Sequence, residues 1–111
     1  MTSTTTRTPS IGRIVHYTLT TDDVRRVVDA RTTKLDSGII PQGYAPSPGS
    51  VLPMIVTFTS GPAGDFIAGQ VFLDCSETLY VEGVRESYSL HGCWFWPERQ
   101  GPGLPYSAFE L

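Results

Sequence analysis

The sequence is short of the features that announce chemistry. It contains only two cysteines, Cys75 and Cys93, and two histidines, His16 and His91. There is no Cys-x-x-Cys pair, and His91-Gly92-Cys93 lacks the spacing of a zinc knuckle. A nucleophilic cysteine needs electropositive surroundings that favour the thiolate. The charged residues around these two are acids, Asp74, Glu77 and Glu98, so both thiols read as structural. Glycoside hydrolysis would need two acids in one cleft, whereas Asp74 and Glu77 fall in a turn and Glu82 on an outward strand position. Gly61-Pro62-Ala63-Gly64 has neither the lysine nor the following helix of a phosphate-cradling loop. The expectation is a non-enzymatic protein with no catalytic residue, no cofactor and no metal.

Charge is scarce as well. Charged residues make up 17% of the chain, against roughly 25% in an average globular protein. Eight basic and eleven acidic residues give a formal charge of −3. Nucleic-acid binding rests on neutralising phosphates with a basic patch. Here the basic residues are scattered, except for Arg25, Arg26, Arg31 and Lys34, which suit the solvated face of a helix. Nucleic acid is therefore not an expected partner. No run of about 18 apolar residues could span a membrane. Met1 to Ser10, MTSTTTRTPS, has no apolar core of the kind a secretory signal needs. Synthesis in a cytoplasm is expected, with no membrane partner and with the cysteines reduced rather than bridged.

What remains is the composition of a small β-rich domain: 111 residues, 40% hydrophobic, with 11 glycines and 9 prolines, enough for one core and many turns. Ile67 to Val84 carries the clearest instruction. Ile67, Val71 and Leu73 alternate with Ala68, Gln70, Phe72 and Asp74, and Gly69 lies among the first set. Short polar residues from Asp74 to Thr78 then lead into a second alternating run from Leu79, so the unit predicts a β-hairpin with a four- or five-residue loop. Ile11 to Leu19 predicts a strand with Val15, Tyr17 and Leu19 on one face. Pro53 to Thr59 predicts another, with Met54, Val56 and Phe58 together. Thr20 or Thr21 caps a short helix, about residues 21 to 34, with an apolar stripe of Val24, Val27 and Val28. Asp22 with Arg26, and Arg25 with Asp29, sit four apart on its exposed side. Arg85 to Gly92 is a polar connection with room for one 3₁₀ turn, and Cys93 to Pro97 the last strand.

Three regions carry apolar residues without periodicity. Leu35 to Leu52 is a Pro/Gly-rich loop, longer than the ~12–15 residues usual in compact domains, and its Ile39, Ile40 and Tyr44 must pack on the barrel or on a partner. Residues 1–10 form an N-terminal arm, residues 11–97 one barrel domain, and residues 98–111 a tail that includes Tyr106 and Phe109. Trp94, Phe95 and Trp96 are consecutive and cannot all point inward, so either Phe95 or both tryptophans should lie at least partly at the surface. Without a basic groove the tryptophans suit a protein contact or core packing better than base stacking. Ile39, Ile40, Tyr44, Trp94, Trp96, Tyr106 and Phe109 are the candidate protein-contact residues.

Four blocks in order, Gly12-Arg13-Ile14-Val15-His16-Tyr17, Pro53-Met54-Ile55-Val56, Gln70-Val71-Phe72-Leu73-Asp74 and Trp94-Phe95-Trp96-Pro97, resemble a family of small proteins encoded by tailed bacteriophages of actinobacterial hosts. The likeness spans about residues 11 to 99, and departs at Cys75, where the family's turn has glycine, and in the longer C-terminal tail. The family has no assigned catalytic residues to carry over. Its strand order implies a mainly-β fold: a small five-stranded SH3-like β-barrel with the helix and long loop between strands 1 and 2. The resemblance implies a phage structural or accessory protein on the virion, for example a capsid-decorating or minor head protein. Its partners would be other phage structural proteins or further copies of itself. The alternative is a small phage effector in the host cytoplasm that binds a host protein or sequesters a small molecule near Tyr44 and the tryptophans.

Overall fold

The computed structural model describes residues 9–41, 43–60, 66–74 and 77–97. Five strands, β1 (Ile14–Thr18), β2 (Val51–Thr59), β3 (Phe66–Phe72), β4 (Thr78–Glu86) and β5 (Cys93–Phe95), close into a barrel in sequence order, and one helix, α1 (Thr21–Asp36), lies between β1 and β2. Neighbours are antiparallel except β4 and β5, which run parallel; β5 also pairs with β1 and closes the barrel. This is the expected mainly-β fold, with a helix and long loop inserted in the first connection.

The alternation of β1 and β3 is realised as written. Val15, Tyr17 and Leu19 point inward at 0%, 3% and 0% exposure, and Ile67 and Val71 are fully buried, with Gly69 between them. The β3–β4 register pairs Phe72 with Thr78, which leaves the five-residue connection the hairpin pattern implies. Pro53 is the third residue of β2 rather than the first residue of the strand. Val56 donates its N–H to the carbonyl of Arg13, just before β1, so by alternation Pro53 faces β3. The β2–β3 ladder begins only at Met54, and the N–H that proline lacks is not needed there.

Thr20 caps α1 in a reciprocal box: its hydroxyl accepts from the Asp23 N–H at 2.9 Å, and Asp23 Oδ2 accepts from the Thr20 N–H at 3.0 Å. The helix ends in a Schellman arrangement, with Ile39 N–H donating to the Lys34 carbonyl, Gly38 N–H to the Leu35 carbonyl, and Gly38 at φ +86°. Only a narrow stripe of α1 is covered. Val27 joins the core and Val24 packs against it, whereas Val28 is 48% exposed. The exposed pairings also differ from expectation: Arg25 bonds Asp22, and Arg26 approaches Asp23 at 3.8 Å, three apart rather than four.

Trp94 and Phe95 of β5 and Trp96 just after it are all buried, against the expectation that one face must lie at the surface. Trp94 and Trp96 meet edge to face inside the barrel, with centroids 5.4 Å apart. Phe95 points outward but is covered by His16 and Tyr88, each with its ring centroid 5.3 Å away. The connection holding Tyr88 there is a set of bends rather than a 3₁₀ turn, stapled by Ser87 Oγ, which accepts from the N–H groups of Ser89 and Leu90. Pro9 is fully buried, so the packed domain reaches two residues into the expected arm. The rest of the arm and the tail lie outside the described residues.

Candidate functional site

The outer face of β2, β3 and β4 carries apolar residues that the interior does not absorb. The registers place Ile14, Ile55, Gln70 and Tyr80 in one row across four strands, with Phe72 beside Thr78 below it. Above that row, Ala68 sits opposite Phe58 on β2, and Phe66 precedes it by two positions on the same face of β3. Phe58 and Tyr80 are 50% and 44% exposed, yet Ala68 between them is only 3% exposed. Large side chains rise around a small one and form a socket with an alanine floor. Its volume is about 460 Å³ and it is lined by Phe58, Phe66, Ala68, Tyr80, Glu82 and Gly83. Phe58 and Phe66 stack at 27° with centroids 6.3 Å apart. The Tyr80 hydroxyl donates to Glu82 Oε1 at 3.3 Å. Burial of the phenol, then the charge and hydrogen bond of Glu82, push the Tyr80 hydroxyl above its ordinary pKa. The Arg85 guanidinium stands 5.8 Å from the Phe66 ring centre.

The expected contact residues divide. Ile39, Ile40 and Tyr44 are exposed at 55%, 79% and 84%, and Ile39 is also the residue that closes the helix cap. Trp94 and Trp96 are withdrawn into the core at 2% and 5% exposure. Neither is available to a partner, because the barrel needs their volume to fill its interior. The Trp94 indole N–H has no hydrogen-bond partner among the described residues. Tyr106 and Phe109 lie outside the described residues. The socket itself was not among the sequence candidates. Phe72 and Tyr80 stand on outward positions in the sequence pattern, but Phe58 reads as inward with Met54 and Val56, and it is the residue that makes the socket.

A second cleft, about 330 Å³, runs between α1 and the β3–β4 turn, lined by residues that include Arg26, Val27, Lys34, Leu73, Glu77 and Leu79. Glu77 sits at its mouth, accepting from Lys34 Nζ at 2.7 Å and Arg31 Nε at 3.1 Å. The Lys34 hydrogen bond chiefly, opposed by burial and joined by the Arg31 bond, holds the Glu77 carboxyl below the usual carboxylate range. Arg31 also donates to the Tyr44 carbonyl at 3.3 Å, and Asp74 accepts from the Tyr44 N–H at 3.0 Å. The long loop is thereby tied to the helix and hairpin, leaving the Tyr44 ring outward. With its charges neutralised in place, the cleft reads as a seam between helix and barrel.

Two groups with catalytic potential are tied up structurally. The Tyr17 hydroxyl donates to Asp23 Oδ2 at 2.6 Å in the core, and burial, then Asp23, push that phenol well above its ordinary pKa. Cys93 is a free thiol whose pKa is raised by burial, which disfavours the nucleophilic form. Among the described residues no three of His, Cys, Asp and Glu come together as a metal site would require. Comparison with protein-family models, with curated proteins and with solved structures finds no match. The socket, among the described residues an apolar surface with one acid, is best suited to binding.

Proposed function

We propose that this chain is a non-enzymatic structural or accessory protein of a tailed bacteriophage that acts through protein–protein contacts, associated with the capsid or head as a decoration or minor capsid protein. The observation that carries the contact reading is the outer face of β2–β4. There Phe58 and Tyr80 are half exposed around a buried Ala68, and aromatic side chains of this kind concentrate binding energy at interfaces. Ile39, Ile40 and Tyr44 add a second exposed apolar group. The phage and virion parts of the reading are supported by the four-block sequence resemblance. Synthesis takes place in the host cytoplasm, and the partners are other phage structural proteins or further copies of this chain. Mass spectrometry of gradient-purified particles tests the assignment. The protein should be present at a fixed ratio to the major capsid protein; abundance in the lysate with absence from particles overturns it.

One observation favours the effector reading. The socket's volume of about 460 Å³ lies within the roughly 300–1,000 Å³ of small-molecule sites. Native mass spectrometry of protein purified from infected cells would reveal a retained low-mass compound in that case, and a ligand-free mass would count against it.

A further inference from the structure

We propose that the socket around Ala68 receives the side chain of an arginine presented by the partner protein. The inference rests on the protein-contact reading above and names the chemistry of the partner at that face. The walls are aromatic: Phe58 and Phe66 stand nearly parallel, and Tyr80 lies beside them over the Ala68 floor. The aliphatic stem of a basic side chain packs against such walls, and a guanidinium stacks on aromatic faces better than an ammonium does.

Glu82 decides between ligand classes. Among the described residues it is the one acid in the lining. Among the described residues its side chain accepts a single hydrogen bond, from Tyr80 at 3.3 Å, and pairs with no cation. An apolar occupant would cover this carboxylate without pairing it, at a desolvation cost. An anionic occupant would be repelled. A guanidinium satisfies both parts of the site, with its plane against the rings and its N–H donors on the carboxylate. Among the described residues the protein itself makes such guanidinium–ring contacts, Arg85 beside Phe66 at 5.8 Å and Arg13 over Trp96 at 4.8 Å. Arg85 is thus a cation already near the rim, and it moderates the affinity for an incoming one.

NMR of the full chain, with labelled aromatic side chains, tests this using acetylated and amidated Gly-Arg-Gly against the matched norleucine tripeptide. The arginine peptide should shift the Phe58, Phe66 and Tyr80 resonances and bind about 5-fold more tightly than the norleucine peptide. Glu82→Gln, at an exposed position, should abolish most of that preference while leaving the spectrum of the rest of the barrel unchanged. Arg85→Gln should tighten the arginine peptide about 2-fold by removing the competing cation. Equal binding of the two peptides, no shift at these rings at about 20 mM peptide, or an arginine preference that survives Glu82→Gln overturns the proposal. Presence in particles without arginine selectivity removes this inference and keeps the structural role; selectivity with absence from particles does the reverse.

Discussion

Replacing Gly69 with alanine should lower stability sharply, although the change adds one methyl group in a strand where alanine is ordinarily harmless. Gly69 lies on the inner face of β3, opposite Val56. A Cβ built there would fall 2.2 Å from the Ile55 carbonyl oxygen and 3.0 Å from Met54 Cγ. Met54 could yield by rotating, but the Ile55 carbonyl is backbone, and Ile55 is paired with Gln70 in the same ladder. That oxygen would have to withdraw by about 0.8 Å to reach the 3.0 Å below which such contacts are essentially not found. β2 cannot move alone, because it also pairs with β1 across a filled interior. Overpacking of this kind costs about 1–3 kcal/mol, and the backbone origin of the clash puts Gly69→Ala at the upper end. The reduced freedom of the unfolded chain returns only about 0.4–1 kcal/mol. The net loss is about 2 kcal/mol, a fall of roughly 10 °C in Tm for a domain of this size. Urea titration followed by tryptophan fluorescence reads it directly, since both indoles are in the core. An unchanged or raised midpoint at unchanged slope would refute the close approach of β2 and β3 at this point.

Asp23→Ala should cost about 2–4 kcal/mol, because it removes the capping-box acceptor and leaves the buried Tyr17 hydroxyl without its partner. Asp22→Ala, on the exposed side of the same turn, should change stability by no more than about 0.5 kcal/mol in the same denaturation assay, and equal losses would refute the distinction. Glu77→Gln tests the seam between helix and hairpin. Its folded pKa is depressed below 4.5, so its contribution is full above the unfolded carboxylate value and is lost as pH falls through the folded one. The variant should be less stable by up to about 1 kcal/mol at pH 7, with the gap to the parent narrowing as pH falls below the unfolded carboxylate value of about 4.3; a gap that stays constant on acidification would remove the ion pairs as its cause.

The parts of the fold legible in the sequence are those where local pattern and tertiary demand coincide. Val15, Tyr17 and Leu19, and Ile67 and Val71, alternate because each strand has one face on a single core. Thr20 stands before two aspartates because the first turn of α1 needs an acceptor. The departures arise where residues distant in sequence supply the cover. Phe95 is hidden by His16 on β1 and by Tyr88, and no periodicity within Cys93–Phe95 encodes either. Val28 is left half exposed because α1 touches the barrel along a stripe narrower than three valines. The loop after α1 looks structureless by composition, yet backbone bonds at Gly38 and Ile39 and side-chain bonds from Arg31 and Asp74 fix it. Among the candidate contact residues, Ile39, Ile40 and Tyr44, expected to pack on the barrel or on a partner, are left exposed by the barrel. Burial of the tryptophans follows from the volume of a closed barrel, which a strand-by-strand reading does not supply.

The socket has the same origin, since two irregularities in strand register meet at Ala68. Between Val56–Gly69 and Phe58–Ala68 the β2–β3 ladder shifts, with Thr57 as the extra residue on β2. Between Gly69–Val81 and Ile67–Val84 the β3–β4 ladder shifts too, with Glu82 and Gly83 standing against Ala68 alone. A bulge re-aims every side chain beyond it, and these two act in opposite senses. Strict alternation would send Phe58 inward after Met54 and Val56, and Val84 outward after Leu79 and Val81. The bulges reverse both: Phe58 is turned out at 50% exposure and Val84 is taken in at 2%. Gly83, at φ +65° with nothing within 4 Å of where its Cβ would stand, allows the second shift. The interior, already filled by Met54, Val56, Trp94 and Trp96, gains a valine and is spared a phenylalanine. The same exchange sets an aromatic wall on one side of Ala68 and a carboxylate on the other, so the feature that fits the core to its volume also builds the binding face.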